Sequence, residues 1–381
     1  MIEQMEVGTG IEGCASHAPT IKNNPIKIIH KWFQENKREF PWRENRTPYR
    51  VWISEVMLQQ TRAIVVIPYF LRWMELFPDV KALYKAPIEQ VIKAWEGLGY
   101  YSRARNLHLA AKQIVEQFDG EIPDQREDLR SIRGFGPYTV GALLSFAFHK
   151  RAVAIDGNVQ RVISRYFLVE ENIGRSSTRK KIEIHAESLL DLQKPWVSAE
   201  ALIELGATIC TPKPRCEICP LNSGCQAFFQ EKAESLPVKN VDKGIESLFR
   251  IVFVLEYNGF VLVGKGDVGK VMAGLYEFPY VNSQMQGERQ ILQEAKKFID
   301  GDVVMIHKLT EQVHSFTRYR AYLSPYWIRV RKNTLLQGFE WVPFSSLSKL
   351  PFSSGHRKIA TEIEKIRMDA IKVEPVYTSD L

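Results

Sequence analysis

The chain has 381 residues and a mass of 43.9 kDa, too much for one hydrophobic core, so two or three domains are expected. Hydrophobic residues at 45% and charged residues at 25% are ordinary globular values and exclude collagen-like, mucin-like or disordered classes. No stretch reaches the roughly 18–20 consecutive apolar residues of a membrane span, and residues 1–20 lack a basic region followed by an apolar core; neither membrane insertion nor secretion is expected. The formal charge of +7 suits attraction to a polyanion. It is spread as +4 over residues 1–240 and +3 beyond, so any basic surface has to be assembled by folding.

Residues 1–24 show no apolar periodicity and are expected to form a loose extension. From 25 to 235 the spacing is helical almost throughout, which predicts an all-α domain of ten or more short helices. In SRARNLHLAAKQIVEQF, for example, Leu107, Ala110, Ala111, Ile114, Val115 and Phe118 recur at intervals of three and four and form one stripe. LRSIRGFGPYTVGALLSFAF, residues 129–148, reads as helix, turn and helix, with Gly134 and Gly136 in the turn. Residues 236–246 look like a linker. A smaller α+β domain is expected over 247–366, followed by a tail at 367–381. Its first signal is FRIVFVLEYNGFVLVGK, two β-branched runs around Asn258-Gly259, a strong hairpin signature. VVMIHKL and YRAYLSPYWIRV are further strand candidates, and ERQILQEAKKFI a helix between the hairpin and them. GKGDVGK, Gly264 to Lys270, lacks the GK[ST] ending of a phosphate loop and is taken as a hairpin loop.

Cysteine use is uneven. Cys14 stands alone, whereas Cys210, Cys216, Cys219 and Cys225 have the spacing C-x5-C-x2-C-x5-C. Four thiolates in one short loop suit soft tetrahedral ligation. A single C-x2-C flanked by outlying cysteines favours a [4Fe–4S] cluster over zinc, which more often takes two separated C-x2-C knuckles. Lys213 and Arg215 lie within the loop, either as local charge compensation or as phosphate contacts. In the 129–148 hairpin, small residues followed by free helix amides could grip a nucleic-acid backbone without reading bases, although glycine also serves simply to turn. Asp156 precedes an apolar-periodic helix, either as an N-cap or as a functional carboxylate that capping keeps ionised. Glu55, among Val51, Ile53, Val56, Met57 and Leu58, either reaches solvent or is buried with a raised pKa suited to a general acid. The local pattern alone favours solvent.

VWISEVMLQQT, GLGYYSRARNLHLAA, IRGFGPYTVGALLSFAF, AIDGNVQRV and the cysteine loop, in this order, resemble the helix-hairpin-helix DNA glycosylase superfamily, and within it the adenine-excising family. The resemblance covers residues 25–230 and, less closely, 245–350, where AGLYEFPYV is similar to the GLWEFP segment of the family's C-terminal Nudix-like domain. It implies a helical glycosylase domain with an iron–sulfur loop, then a Nudix-like domain that recognises 8-oxoguanine without hydrolysing nucleotides, since the catalytic Nudix box is absent from the sequence.

By this resemblance Glu55 protonates adenine at N7, Asp156 stabilises positive charge on the deoxyribose, and Asn158 orients Asp156. Tyr138 occupies the position of the Schiff-base lysine of bifunctional relatives such as endonuclease III, which implies base excision without strand cleavage; it is expected to hydrogen-bond Asp156. Gln60 and Tyr100 match residues that enter the duplex when the base is flipped. Arg43 and Glu200 match the lining of the adenine pocket, although surface salt bridging explains isolated Arg and Glu residues equally well. Two positions depart from the family pattern: the first two cysteines are separated by five residues instead of six, and the Phe-Ser-His lesion-reading loop aligns with His314, Ser315 and Phe316, which keeps Ser315 and exchanges its neighbours. The implied partner is double-stranded DNA with A·8-oxoguanine or A·G mispairs. The protein is expected to act as a monomer in base excision repair, with the chromosome in the cytoplasm or, in a eukaryote, in the nucleus. The alternatives are a thymine-mismatch or pyrimidine-lesion glycosylase of the same superfamily and a non-enzymatic iron–sulfur DNA-binding protein.

Overall fold

The structure is a computed structural model that describes residues 24–240 and 244–373, apart from 267–271, 285–286, 301, 317 and 334–335. Cys14, nearly all of the expected N-terminal extension, most of the Gly264–Lys270 loop and the last eight residues of the expected tail lie outside the described residues.

Residues 25–229 fold as helices joined by short turns, and the caps are the ones the sequence offers. Thr47 Oγ1 accepts from the Arg50 N–H at the start of Pro48–Leu58, Asp79 Oδ1 accepts from Ala82 N–H at Val80–Lys85, and Asp156 caps Gly157–Tyr166. The Ser102–Gln117 helix buries Leu107, Ala110, Ala111 and Ile114, with Val115 and Phe118 at the edge of the same stripe. The helices enclose two large apolar clusters, and a small third one holds Ala227, Ala233 and Leu236. One large cluster holds Trp52, Phe70, Trp73, Trp95, Leu107 and Leu143; the other holds Ile29, Phe33, Val159, Ile163, Leu202 and Leu205. Val153 and Ile203 pack against both, which marks the seam between them.

The expected helix-turn-helix is present as Arg126–Ser131, a turn, and Pro137–Ala142, which runs on into a π-helical turn at Leu143–Ala147. Gly141 lies where this second helix meets the extended segment leading to Asp156. A β-carbon there would stand 2.0 Å from the Val153 carbonyl oxygen, so only glycine permits this backbone-to-backbone approach.

Eight strands are found among the described residues: β1 Glu246–Tyr257, β2 Phe260–Lys265, β3 Tyr276–Glu277, β4 Tyr280–Asn282, β5 Val303–Lys308, β6 Gln312–Phe316, β7 Tyr319–Val330 and β8 Phe339–Pro343. They form one mixed sheet with the path β3-β2-β1-β7-β5, and β4, β6 and β8 pair with β1, β7 and β2. β1 and β7 run parallel from Glu246 beside Tyr319 to Glu256 beside Arg329. Alternate β1 residues face opposite layers. Ile251, Phe253 and Leu255 pack on Ile291 and Ala295 of the Glu288–Ala295 helix, whereas Val252 and Val254 pack on Ile359 and Ile363 of the Ser354–Val373 helix. Burial on both faces explains why β1 reads as a nearly continuous apolar run. Asn258 and Gly259, at φ 45° and 80°, form the tight turn between β1 and β2.

Three expectations need correction. The stretch after residue 236 does not begin as a free linker: the Leu236 side chain is buried beside Ala227 and Ala233, and the Val238 carbonyl accepts from Ile173 N–H. The last helix runs to Val373 across the expected end of the domain at 366, since no breaker interrupts the Ile359, Ile363, Ile366 spacing. β3, β4, β6 and β8 were not expected; they are short, and their pairing comes from the neighbouring strands rather than from a pattern of their own.

Candidate active site

Glu55 sits on the last turns of the Pro48–Leu58 helix, in the first apolar cluster. Its side chain does not reach solvent, contrary to the local pattern: the residue is 8% exposed. Helical rotation that points Trp52, Ile53 and Val56 inward takes Glu55 with them. The Tyr138 hydroxyl, from the second helix of the hairpin, donates a hydrogen bond to Glu55 Oε2. Burial pushes the Glu55 carboxyl up to about 7. The Tyr138 bond opposes this shift, the negative charges of Glu200 and Asp156 add to it, and Arg43 opposes it. Burial also holds the Tyr138 hydroxyl well above its ordinary range, with the charges of Glu55 and Asp156 reinforcing it.

Asp156 caps the helix of the second cluster. Its Oδ1 accepts from Asn158 N–H (2.9 Å) and Val159 N–H (2.8 Å), and its Oδ2 accepts from the Asn158 side-chain amide (2.7 Å). Its pKa is raised by burial, which outweighs the lowering by these three hydrogen bonds. The two carboxyls thus belong to different clusters and approach each other across the seam. The expected bond from Tyr138 to Asp156 is replaced by the one to Glu55, because the hairpin helix presents the hydroxyl to the Pro48–Leu58 helix.

Arg43 and Glu200 do form a salt bridge, but it is shielded and not on the surface. Arg43 Nε lies 3.4 Å from Glu200 Oε1, with only 11% and 10% of the two side chains exposed. Sequence reasoning missed the rest of this network: Glu204 accepts from Arg43 (3.0 Å) and Arg38 (2.5 Å), and Glu200 accepts from Arg46 (2.8 Å). A lone acid in the apolar run ALIELGA was the available signal, the same kind that marks Glu55. A cavity of about 230 Å³ beside this network shares Arg46 and Glu200 with it and is also lined by Phe33, Lys37, His149 and Trp196.

Gln60 and Tyr100 are both exposed, and both adopt positive φ, 57° and 47°. One buried residue, also missed, holds the two turns together. The Arg103 guanidinium donates to the carbonyls of Val56, Met57 and Gln59 at the end of the Glu55 helix, and to those of Leu98 and Gly99 beside Tyr100. It thereby satisfies helix-end carbonyls that would otherwise be orphaned. Gly134 and Gly136 are exposed at the hairpin turn, Gly134 at φ 82°.

The four cysteines line one small cavity, with Arg165 on its wall. Arg165 donates to Cys210 Sγ (3.3 Å) and to the carbonyls of Thr211 and Pro212. Burial raises the thiols of Cys216, Cys219 and Cys225, and the neighbouring sulfurs add to the effect. A soft donor set around one cavity, braced by a cation, fits a metal–sulfur group. Lys213 and Arg215 are exposed on this loop. Arg161 ties it to the acid: it donates to the Cys210 carbonyl (2.7 Å) and to Asn158 Oδ1 (2.9 Å), whose amide holds Asp156.

In the sheet-bearing domain, His314, Ser315 and Phe316 lie on strand β6, not in a loop. His314 and Phe316 share a face, their rings 5.1 Å apart, and burial pushes the His314 imidazole down to about 4. Ser315 points the other way and is exposed.

The chain matches two family models: HhH-GPD superfamily base excision DNA repair protein over residues 53–190, and NUDIX domain over 251–362. It is 30% identical to the adenine DNA glycosylase of Buchnera aphidicola subsp. Baizongia pistaciae, covering 89% of this chain and 96% of that protein. It is 30% identical to the adenine DNA glycosylase of Mus musculus, covering 90% and 78%, and 30% identical to that of Homo sapiens, covering 86% and 72%. Among solved structures, a thermostable thymine-DNA glycosylase is similar at 28% identity and a TM-score of 0.50, over 54% of this chain and 95% of that one. No helix of the described residues is long and apolar enough to cross a membrane.

Proposed function

Since the chain belongs to the adenine DNA glycosylase family, we propose that it removes adenine mispaired with 8-oxoguanine or guanine in double-stranded DNA, by base flipping and hydrolysis of the N-glycosidic bond. The observation that carries this reading is the pair of unlike carboxyls at the seam. Glu55, buried and near pKa 7, holds a proton that it can deliver to adenine N7. Asp156, fixed by three hydrogen bonds at a helix N-terminus, faces the deoxyribose as positive charge develops there. Together they resemble a retaining glycosidase pair, in which Glu55, once deprotonated, serves as base for the incoming water. Tyr138 and Asn158 orient the two acids, and the absence of a lysine at 138 supports base excision without strand cleavage.

Arg43 and Glu200 line the adenine pocket, and the exposed Gln60 and Tyr100 enter the duplex as the base leaves the stack. Gly134 and Gly136 let the hairpin turn approach the phosphate backbone. Cys210, Cys216, Cys219 and Cys225 would hold a [4Fe–4S] cluster, which when bound braces the loop that presents Lys213 and Arg215 to phosphates. The Nudix-like domain reads 8-oxoguanine through the β6 edge that carries Ser315. With His314 turned inward, discrimination against guanine is expected to be weaker or differently built than in relatives with Phe-Ser-His.

Single-turnover assays on duplexes holding one adenine opposite 8-oxoguanine, guanine or thymine test this reading. Strand breakage at adenine only after hot alkali, only in mispaired duplexes, and lost in Glu55→Gln, is the expected result. Protein that binds the mispaired duplex but leaves its adenine in place would sink the assignment and turn attention to thymine and oxidised pyrimidines.

A further inference from the structure

The two domains meet where the helical domain presents the turn that carries Tyr100. Glu96 stands immediately before that turn, and its carboxylate gathers donors from both sides. Oε1 accepts from Phe352 N–H (3.0 Å) and Arg357 Nε (2.7 Å) of the sheet-bearing domain, and Oε2 accepts from Lys93 Nζ (2.5 Å) and Arg357 Nη2 (3.4 Å). Only 13% of the Glu96 side chain is exposed, so these charge-assisted bonds are shielded from water and salt. Lys93 also donates to the Leu350 carbonyl and Tyr101 to the Phe352 carbonyl. Nearby, Leu275 of the sheet-bearing domain is wholly buried in the helical domain's first cluster, and Arg105 donates to the Ala273 carbonyl.

The helical domain also shapes the turn from within, partly through the same Tyr101. Gly97 N–H donates to the Tyr101 hydroxyl (3.2 Å), Trp95 Nε1 donates to the Gly99 carbonyl (3.0 Å), and Arg103 takes the carbonyls of Leu98 and Gly99. Tyr100, at the tip in a left-handed conformation that a non-glycine residue adopts at a cost, is 44% exposed. A turn under such strain keeps its shape only if its surroundings over-determine it, and residues 350–357 hold it at both ends, through Glu96 before it and the Tyr101 hydroxyl at its close.

We propose that Glu96 is a positioning residue: through its bonds to Arg357 and Phe352, docking of the sheet-bearing domain holds the Gly97–Tyr101 turn, and with it Tyr100, in the shape that enters DNA. The consequence for DNA rests on the function proposed above; the mechanical coupling does not. A domain that reads the base opposite adenine is thereby bolted to the turn that opens the duplex, so the two events share one set of contacts.

The test uses the full chain with Arg357→Met, Glu96→Gln and Arg357→Lys. Amide hydrogen exchange is followed at residues 97–101, with the Gly157–Tyr166 helix as internal reference, and the excision rate is measured with enzyme saturating over A·8-oxoguanine duplex. In Arg357→Met and Glu96→Gln, exchange at 97–101 should quicken by about tenfold or more while the reference helix keeps its protection. Excision at saturation should fall with it, and Arg357→Lys should recover part of both losses. Unchanged exchange at 97–101 in both variants, or loosening that spreads equally to the reference helix, would overturn the proposal. If Arg357→Met does not fold, Glu96→Gln decides alone. Failure of the wild-type chain to excise adenine would remove the proposed function and leave the exchange result to judge the coupling.

Discussion

The Tyr138 hydroxyl donates its hydrogen bond to the Glu55 carboxylate, joining the hairpin to a helix 83 positions earlier in the chain. This bond favours the ionised acid, while burial favours the neutral one and prevails, leaving Glu55 near pKa 7. Glu55 is proposed to act as the acid, so single-turnover excision should be level below pH 7 and decline above it. Tyr138→Phe removes the hydrogen bond that lowers the Glu55 pKa, so the alkaline limb should move to higher pH. A pH–rate profile of both proteins checks this; a limb that stays in place or moves downward contradicts it.

The same burial sets a stability cost that grows with pH. The Glu55 pKa is raised from 4.5 to about 7 on folding, so the neutral acid is fully accommodated below pH 4.5 and the cost is complete once pH exceeds 7. At about 1.4 kcal/mol per pH unit this cost is of the order of 3 kcal/mol. Glu55→Gln should therefore be more stable than wild type at pH 8 and indistinguishable from it near pH 4. Urea unfolding at the two pH values measures the difference, and a gap of the same size at both would reject a buried, titrating Glu55.

Gly141→Ala should damage both folding and excision. The added carbon would meet the Val153 carbonyl oxygen at 2.0 Å, and neither backbone can turn aside as a flexible side chain would. A loss of about 1–3 kcal/mol is expected, with the Asp156 segment pushed away from Tyr138. Gly136→Ala is the control for stability, since nothing lies within 4 Å of its added carbon and its φ of −76° is ordinary. Equal unfolding midpoints for the two variants would contradict the close approach.

Cys219→Ser should abolish tight iron binding, measured as iron per chain in anaerobically purified protein, and should lower the unfolding temperature of the helical domain. Wild-type protein that holds stoichiometric zinc in place of iron would refute the proposed cluster while sparing the ligand set.

Much of the fold was legible because its signals are local. The Ser102–Gln117 stripe, the Asp156 cap, the hairpin turn at Asn258-Gly259 and the doubly buried run of β1 each follow from residues within a few positions of one another. The short strands β3, β4, β6 and β8 were illegible for the converse reason: two to five residues carry little periodicity, and their hydrogen bonds are supplied by strands distant in sequence.

The candidate site divides in the same way. The sequence by itself determined which side chains are available: two carboxyls, a tyrosine where a lysine could stand, four clustered thiols, and glycines where backbones must touch. Only the tertiary structure decided their environments. Glu55, which the local pattern assigns to solvent, is buried; Tyr138 meets Glu55 instead of Asp156; Arg43 and Glu200 join Arg38, Arg46 and Glu204 in a shielded network; and Arg103 and Glu96 hold the turns that present Gln60 and Tyr100. A charge takes its pKa and its partner from desolvation and from groups a few ångströms away. In this chain those groups come from residues as far apart as Arg43 and Glu204 or Glu96 and Arg357, which no local pattern brings together.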